Sequence, residues 1–149
     1  MQVDLVTFDE AFLRLSWEWL SDPEIKRLTG TPDFTPEEQV KWFETLGTRR
    51  DYLIWGIMVD GSRVGACGLK KIRGRECEYW GYIGVKSYWS KGIGKKVLKL
   101  AEDEAGQRKI EDIFLNVLKD NERALRLYRS SGYGVAGQNG ELLRMKKHI

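Results

Sequence analysis

The apolar positions of this chain run at helical spacing through its first third, switch to strand spacing in the middle, and then alternate between the two. Residues 2–8 predict a short strand. Asp9 is an N-cap residue for a helix through about Leu20 that carries Phe12, Leu13, Trp17 and Leu20. Asp22-Pro23-Glu24 restarts a short helix with proline at its first position. Thr35 and Glu38 stand at capping-box spacing and open another helix, to about Leu46. Tyr52–Val59 and Arg63–Ile72 read as strands joined across Asp60-Gly61, a hairpin dipeptide. Arg73-Gly74-Arg75 turns the chain into a third strand, Glu76 to about Val85. A basic, glycine-containing loop leads to a helix from about Gly92 to Gln107, with Ile93, Val97, Leu100, Ala101 and Ala105 on one face. Ile113–Leu118 is strand-like, and Asn121–Ser131 is a helix ended by Gly132. Tyr133–Ala136 and Leu142–Lys147 close a last hairpin across Gln138-Asn139-Gly140. The order β-αα(α)-βββ-α-β-α-ββ predicts an α/β chain, a mixed sheet with helices on both faces.

Composition narrows the classes of function. With 149 residues and one set of element signals, one domain over residues 1–149 is expected. Apolar residues make up 42% and charged residues 32%, which suits a core that needs no metal or disulfide staples. No apolar run approaches the roughly 20 residues of a membrane span. Met1-Gln2-Val3-Asp4 has neither the basic nor the apolar region of a secretion signal. The two cysteines, Cys67 and Cys77, suit reduced packing thiols, so a cytoplasmic location is expected. With His148 the single histidine, neither a histidine metal centre nor a Ser-His-Asp triad is expected, and no metal cofactor. Basic residues exceed acidic by 25 to 22, a net +3 too mild to argue for a nucleic-acid partner.

The distribution of charge says more than its sum. Between Val85 and Lys96 stand Lys86, Lys91, Lys95 and Lys96 and no acid. A strand enters this stretch, Gly92 and Gly94 permit close approach of the main chain, and an amphipathic helix leaves. A helix N-terminus offers unpaired N–H groups and a positive dipole end, so together these describe a pyrophosphate cradle. It is not a P-loop, because Trp89 holds the first glycine position and Lys96 the Ser/Thr position. It is not a dinucleotide fingerprint, because Val97 holds the third glycine position and the loop does not open the first βα unit. Further on, Asn121, Ala124 and Tyr128 fall at i, i+3 and i+7 and share a helical face. An amide and a phenol roughly 10 Å apart with a small residue between them leave room for a chain to pass.

Both segments resemble the GNAT superfamily of N-acetyltransferases. The family's loop pattern Gln/Arg-x-x-Gly-x-Gly/Ala stands here as Trp89-Ser90-Lys91-Gly92-Ile93-Gly94, with Trp89 departing at the first position. Tyr88-Trp89-Ser90-Lys91-Gly92 is similar to a variant in bacterial branches. Asn121 to Tyr133 is similar to the signature N-x-x-A-x-x-L-Y-x-x-x-G-F/Y at each fixed position. The resemblance covers the strand order from about residue 52 to the end. It implies a mostly antiparallel mixed sheet in which two parallel strands, ending near Val85 and Leu118, splay apart to hold acetyl-CoA as co-substrate. Main-chain groups of Ile83, Gly84 and Val85 would meet the pantetheine arm, and the N–H groups of Ser90, Lys91, Gly92, Ile93, Gly94 and Lys95 the pyrophosphate. Asn121 would steady the arm, Tyr128 would protonate the departing thiolate, and an N–H near Val85 would stabilise the oxyanion. Glu78 is the implied base, with Glu76 two residues earlier able to replace it through a water.

The favoured acceptor is a small-molecule amine, namely a nucleotide-linked amino sugar. A protein N-terminus, as for ribosomal-protein acetyltransferases, is the second reading. The third is a non-catalytic acyl-CoA or nucleic-acid binding module whose basic face joins the 86–96 loop to Lys70, Lys71, Arg73 and Arg75. Trp17, Trp19, Trp42 and Trp55 lie outside the loop and its feeding strand. Helical phase makes Trp17 and Trp42 core residues, and aromatics on the acceptor side suit a sugar face or a pyrimidine ring. Arg49 and Arg50 are placed to meet a diphosphate. Homodimer formation is left open.

Overall fold

Each N-terminal helix begins where a short polar side chain accepts the first free amides. Asp9 Oδ1 accepts from the Phe12 N–H at 3.1 Å and starts α1 (Glu10–Ser21). Asp22 Oδ1 accepts from Glu24 and Ile25 and starts α2 (Pro23–Thr29). Thr35 and Glu38 complete a reciprocal capping box at α3 (Pro36–Thr45). The computed structural model describes all 149 residues. The remaining elements are β1 (Val3–Thr7), β2 (Leu53–Val59), β3 (Ser62–Arg73), β4 (Glu76–Ile83), α4 (Ile93–Gln107), β5 (Asp112–Leu118), α5 (Glu122–Ser130), β6 (Gly134–Asn139) and β7 (Leu142–His148). No helix is long and apolar enough to cross a membrane.

The strands form one mixed sheet in the order β1-β2-β3-β4-β5-β7-β6. Every neighbouring pair is antiparallel except β4 and β5. That parallel pair is in register only at Glu76–Asp112, Cys77–Ile113 and Glu78–Phe114. Beyond Glu78 the two strands diverge, so the sheet opens in a V whose apex is Glu78 and Phe114.

The two faces of the sheet carry separate cores. Beneath α4 and α5 lie Ile57, Val64, Leu69, Cys77, Ile113, Leu115 and Met145. Beneath α1 lie Phe8, Phe12, Leu13, Trp19 and Ala66. Trp19, not Trp17, is the buried tryptophan of α1, because its buried stripe runs Phe12, Leu13, Ser16, Trp19. Trp42 is half-buried. Trp55 faces the α4 side, beneath the Arg108 guanidinium, and so does not wall the opposite face. On α4, Leu98 and Glu102 are buried, whereas Leu100 is only half-buried. The expected strand to Val85 stops at Ile83, because the N–H groups of Gly84 and Val85 both turn to the Val64 carbonyl, at 2.7 and 3.3 Å. The expected strand Tyr133–Ala136 begins at Gly134 and runs on to Asn139, and its hairpin turns at Gly140 and Glu141.

Cys67 and Cys77 are both buried and free. Burial pushes the Cys77 thiol up to about 11, with Glu76 and Glu78 adding to the effect, and drives Tyr79 well above the usual phenol range. A pKa raised on folding contributes stability below its unfolded value and loses it as pH rises through the folded value. For Cys77 that window runs from about 9 to about 11. The melting temperature should therefore fall as pH is raised across this window in thermal melts. A flat profile up to pH 11 would contradict the burial of these groups.

Candidate active site

β4 supplies the inner wall of the V. Gly84 donates to β3, so by antiparallel alternation Tyr82 and Trp80 do the same, and Ile83 and Gly81 turn their peptide groups toward the opening. The Ile83 carbonyl accepts a hydrogen bond from Trp89 Nε1 at 2.8 Å, and the Arg123 guanidinium lies 3.8 Å over the Trp89 ring. Trp89, at the position where the loop departs from the resembled pattern, thus closes the corner between β4 and α5. The Val85 N–H donates to the Val64 carbonyl at 3.3 Å. The N–H groups left facing the opening are those of Ile83 and Gly81, not of Val85. Gly84 is needed where it stands, since a Cβ there would run into the Trp19 ring.

The loop after β4 forms the cradle. Ser90 at φ 61° and Gly92 at φ 80° both take left-handed conformations, which curl the chain so that successive amides converge. The N–H groups of Ser90, Lys91, Gly92, Ile93, Gly94 and Lys95 make no hydrogen bond within the protein. Six such donors at the positive end of a 15-residue helix form an anion site. Lys91 and Lys95 are exposed beside it. Lys86 is not part of it, because Asp22 and Glu24 hold its ammonium at 3.0 Å each and raise its pKa. Lys96 donates to the Met1 carbonyl.

On α5, Tyr128 is half-buried and its ring meets Tyr79 edge-on at 6.5 Å and Tyr133 at 6.0 Å. Its hydroxyl has no hydrogen-bond partner in the protein. Burial pushes the phenol up to about 12, so it carries its proton at neutral pH. Asn121 is the N-cap of α5, its side-chain oxygen accepting from the Ala124 N–H at 3.2 Å. Its carbonyl is committed to the helix, and only its NH₂ group is available to a ligand.

Glu78 stands on the opposite face of the sheet at the apex of the V. It is 7% exposed and lies between Lys70 Nζ at 3.4 Å and Lys71 Nζ at 3.6 Å. A register shift between Lys70 and Arg73, with Lys71 at φ 51°, lets two consecutive lysines reach one carboxylate. Next to Glu78, the Phe114 ring lies under the Arg144 guanidinium at 4.2 Å and the Lys146 ammonium at 5.3 Å. Two cations therefore meet the buried carboxylate, and two more lie over the neighbouring Phe114 ring, with Lys146 also 3.8 Å from Asp112. Glu76 is exposed and lies farther from the opening. Toward α1 and α3 the same face continues as a row of aromatic rings, Trp42, Tyr52, Trp80, Tyr82 and Trp19, each 6.2–6.4 Å from the next. Trp80 Nε1 in this row is buried without a partner. Arg49 lies over Tyr52 and pairs with Asp51.

The sequence model of the Acetyltransferase (GNAT) family matches residues 13–133. The chain belongs to the GNAT acetyltransferase family. A probable spermine N(1)-acetyltransferase from Bacillus subtilis subsp. natto is 38% identical over 66 residues. That match spans 42% of this chain and 43% of the relative's length. Acetyltransferase PseH from Campylobacter jejuni is 22% identical over 124 residues, 83% of this chain and 77% of PseH. Among solved structures, spermidine N-acetyltransferase from Vibrio cholerae, in complex with CoA and spermine, superposes with a TM-score of 0.89. It is 18% identical, and the superposition covers 99% of this chain and 95% of that one. The GNAT sheet accounts for the single parallel pair and for the cradle at its mouth. The residues present fit acetyl-CoA: six unpaired amides suit a pyrophosphate, and the inward peptide group of Gly81 and the Ile83 N–H suit an amide-bearing arm.

Proposed function

We propose that this GNAT protein transfers an acetyl group from acetyl-CoA to a primary amine of a small anionic molecule, with a nucleotide-linked amino sugar as the favoured acceptor. Acetyl-CoA supplies an activated thioester. The 90–95 amides and Lys91 and Lys95 would hold its phosphates, and the Ile83 and Gly81 N–H groups, which open into the V, would be the donors available to its arm and its carbonyl. Tyr128 gives its proton to the departing sulfur, and Glu78 receives one from the acceptor amine. Lys70 and Lys71, which flank Glu78, act on that amine as well. Like charge nearby disfavours an ammonium, so the acceptor nitrogen sheds its proton more readily there.

The observation that carries the acceptor assignment is the group of four cations on this part of the sheet, Lys70 and Lys71 at Glu78 and Arg144 and Lys146 over the adjoining Phe114 ring. It suits a diphosphate and repels a polyamine, although two relatives are named for spermine or spermidine. The aromatic row beside it offers stacking surface for a sugar or a base. A peptide N-terminus is the second reading, and it lacks the anionic group that the cations would recognise.

Competition kinetics test the order. A nucleotide-linked 4-amino-deoxysugar should show a higher kcat/KM than spermidine or a ribosomal-protein N-terminal peptide. A higher value for either rival would overturn the assignment. Arg144 has no ion-pair partner, so Arg144→Ala should raise KM for the nucleotide-linked acceptor by about 10-fold and leave KM for acetyl-CoA unchanged. Steady-state kinetics with each substrate varied in turn separate the two, and an unchanged acceptor KM would contradict the assignment.

A further inference from the structure

A glutamate in the middle of an amphipathic helix ordinarily faces water, yet Glu102 of α4 is 7% exposed. Its carboxylate is fully engaged. Tyr133 donates its hydroxyl to Oε2 at 2.9 Å, and Lys147 Nζ reaches both oxygens at 3.1 Å. The three residues come from α4, from the turn after α5 and from β7. A buried ion pair repays little of its desolvation cost in stability, so this arrangement is better explained by what it holds in place.

What it holds is Tyr133, and through it Tyr128. The Tyr133 N–H donates to the Tyr128 carbonyl at 2.9 Å, and the two rings meet at 6.0 Å and 62°. Since the Tyr128 hydroxyl has no protein partner, the direction of its ring is set by Tyr133 on one side and Tyr79 on the other. The first turn of α4 carries the amide cradle. A continuous run of contacts thus leads from the cradle, along α4, through Glu102 and Tyr133 to Tyr128.

We propose that Glu102 is a positioning residue: by anchoring Tyr133 to α4 it fixes Tyr128 at a set distance from the cradle. The proposal rests on Tyr128 acting as the general acid. Tyr133→Phe is the sharpest probe, because it removes one hydroxyl, keeps the ring, and leaves Glu102 paired with Lys147, so the fold stands.

The experiment compares kcat, acetyl-CoA affinity and circular dichroism for Tyr133→Phe, Tyr128→Phe and the double variant. Tyr133→Phe should lower kcat by about 10-fold with unchanged acetyl-CoA affinity, since a small misplacement of a reacting group is felt in the chemical step. The double variant should be no slower than Tyr128→Phe alone, because a misdirected acid costs nothing once the acid is gone. Losses that multiply in the double variant would overturn the proposal. So would wild-type kcat in Tyr133→Phe when Tyr128→Phe is slow, which leaves the acid assignment standing. Wild-type kcat in Tyr128→Phe would overturn the acid assignment and this proposal with it.

Discussion

Gly94→Glu is expected to lose acetyl-CoA binding altogether. The substitution sets a carboxylate on the first turn of α4, among the unpaired amides of residues 90–95. A second anion there repels the phosphates and spends the donors that would receive them. The fold should survive, because a Cβ at Gly94 meets only the end of the Leu127 side chain, its nearer methyl at 3.1 Å, and that end of a leucine can turn aside. Calorimetry with acetyl-CoA reads the effect directly. A folded Gly94→Glu protein with wild-type affinity would place the donor elsewhere.

Tyr128→Phe carries the next largest effect, on kcat. Its phenol is protonated at neutral pH, and its hydroxyl makes no bond that a phenylalanine would forfeit. Removing a general acid costs about 10²–10⁴-fold at full strength. The low end is expected here, because a thiol of pKa about 8.5 leaves fairly well unaided. Acetyl-CoA affinity and melting temperature should stay close to wild type. Rapid-quench measurement of the chemical step checks this, and an undiminished rate would remove Tyr128 from the chemistry.

The cradle was legible in the sequence because its determinants are local: two glycines, a run of lysines and the start of an amphipathic helix. The order of strands and helices was legible for the same reason, since caps, turns and periods are short-range signals. What escaped depended on contacts between distant segments. The spacing places Asn121 and Tyr128 on one helical face, but Asn121 sits one residue before the helix and its oxygen caps it. The buried stripe of α1 was masked by Ser16, which satisfies itself by donating to the Leu13 carbonyl and so can pass inside. The burial of Glu102 carries no local signal, because its partners, Tyr133 and Lys147, lie 31 and 45 residues away. The lysines around Glu78 depend on an irregularity in β3 that shifts the register between Lys70 and Arg73, and no composition rule marks it. Local chemistry announces the amide cradle; the charged patch proposed for the acceptor is assembled by the sheet from β3, β4, β5 and β7.

The measurement that bears most directly on the whole account is thiol release from acetyl-CoA by the purified protein, with the amine product followed by mass spectrometry. The account predicts one thiol released per acetylated amine when a nucleotide-linked 4-amino-deoxysugar is supplied, at a rate well above that without acceptor. Acetyl-CoA that binds but releases no thiol above that background, across amino sugars, nucleotide sugars, polyamines and peptides, would contradict it.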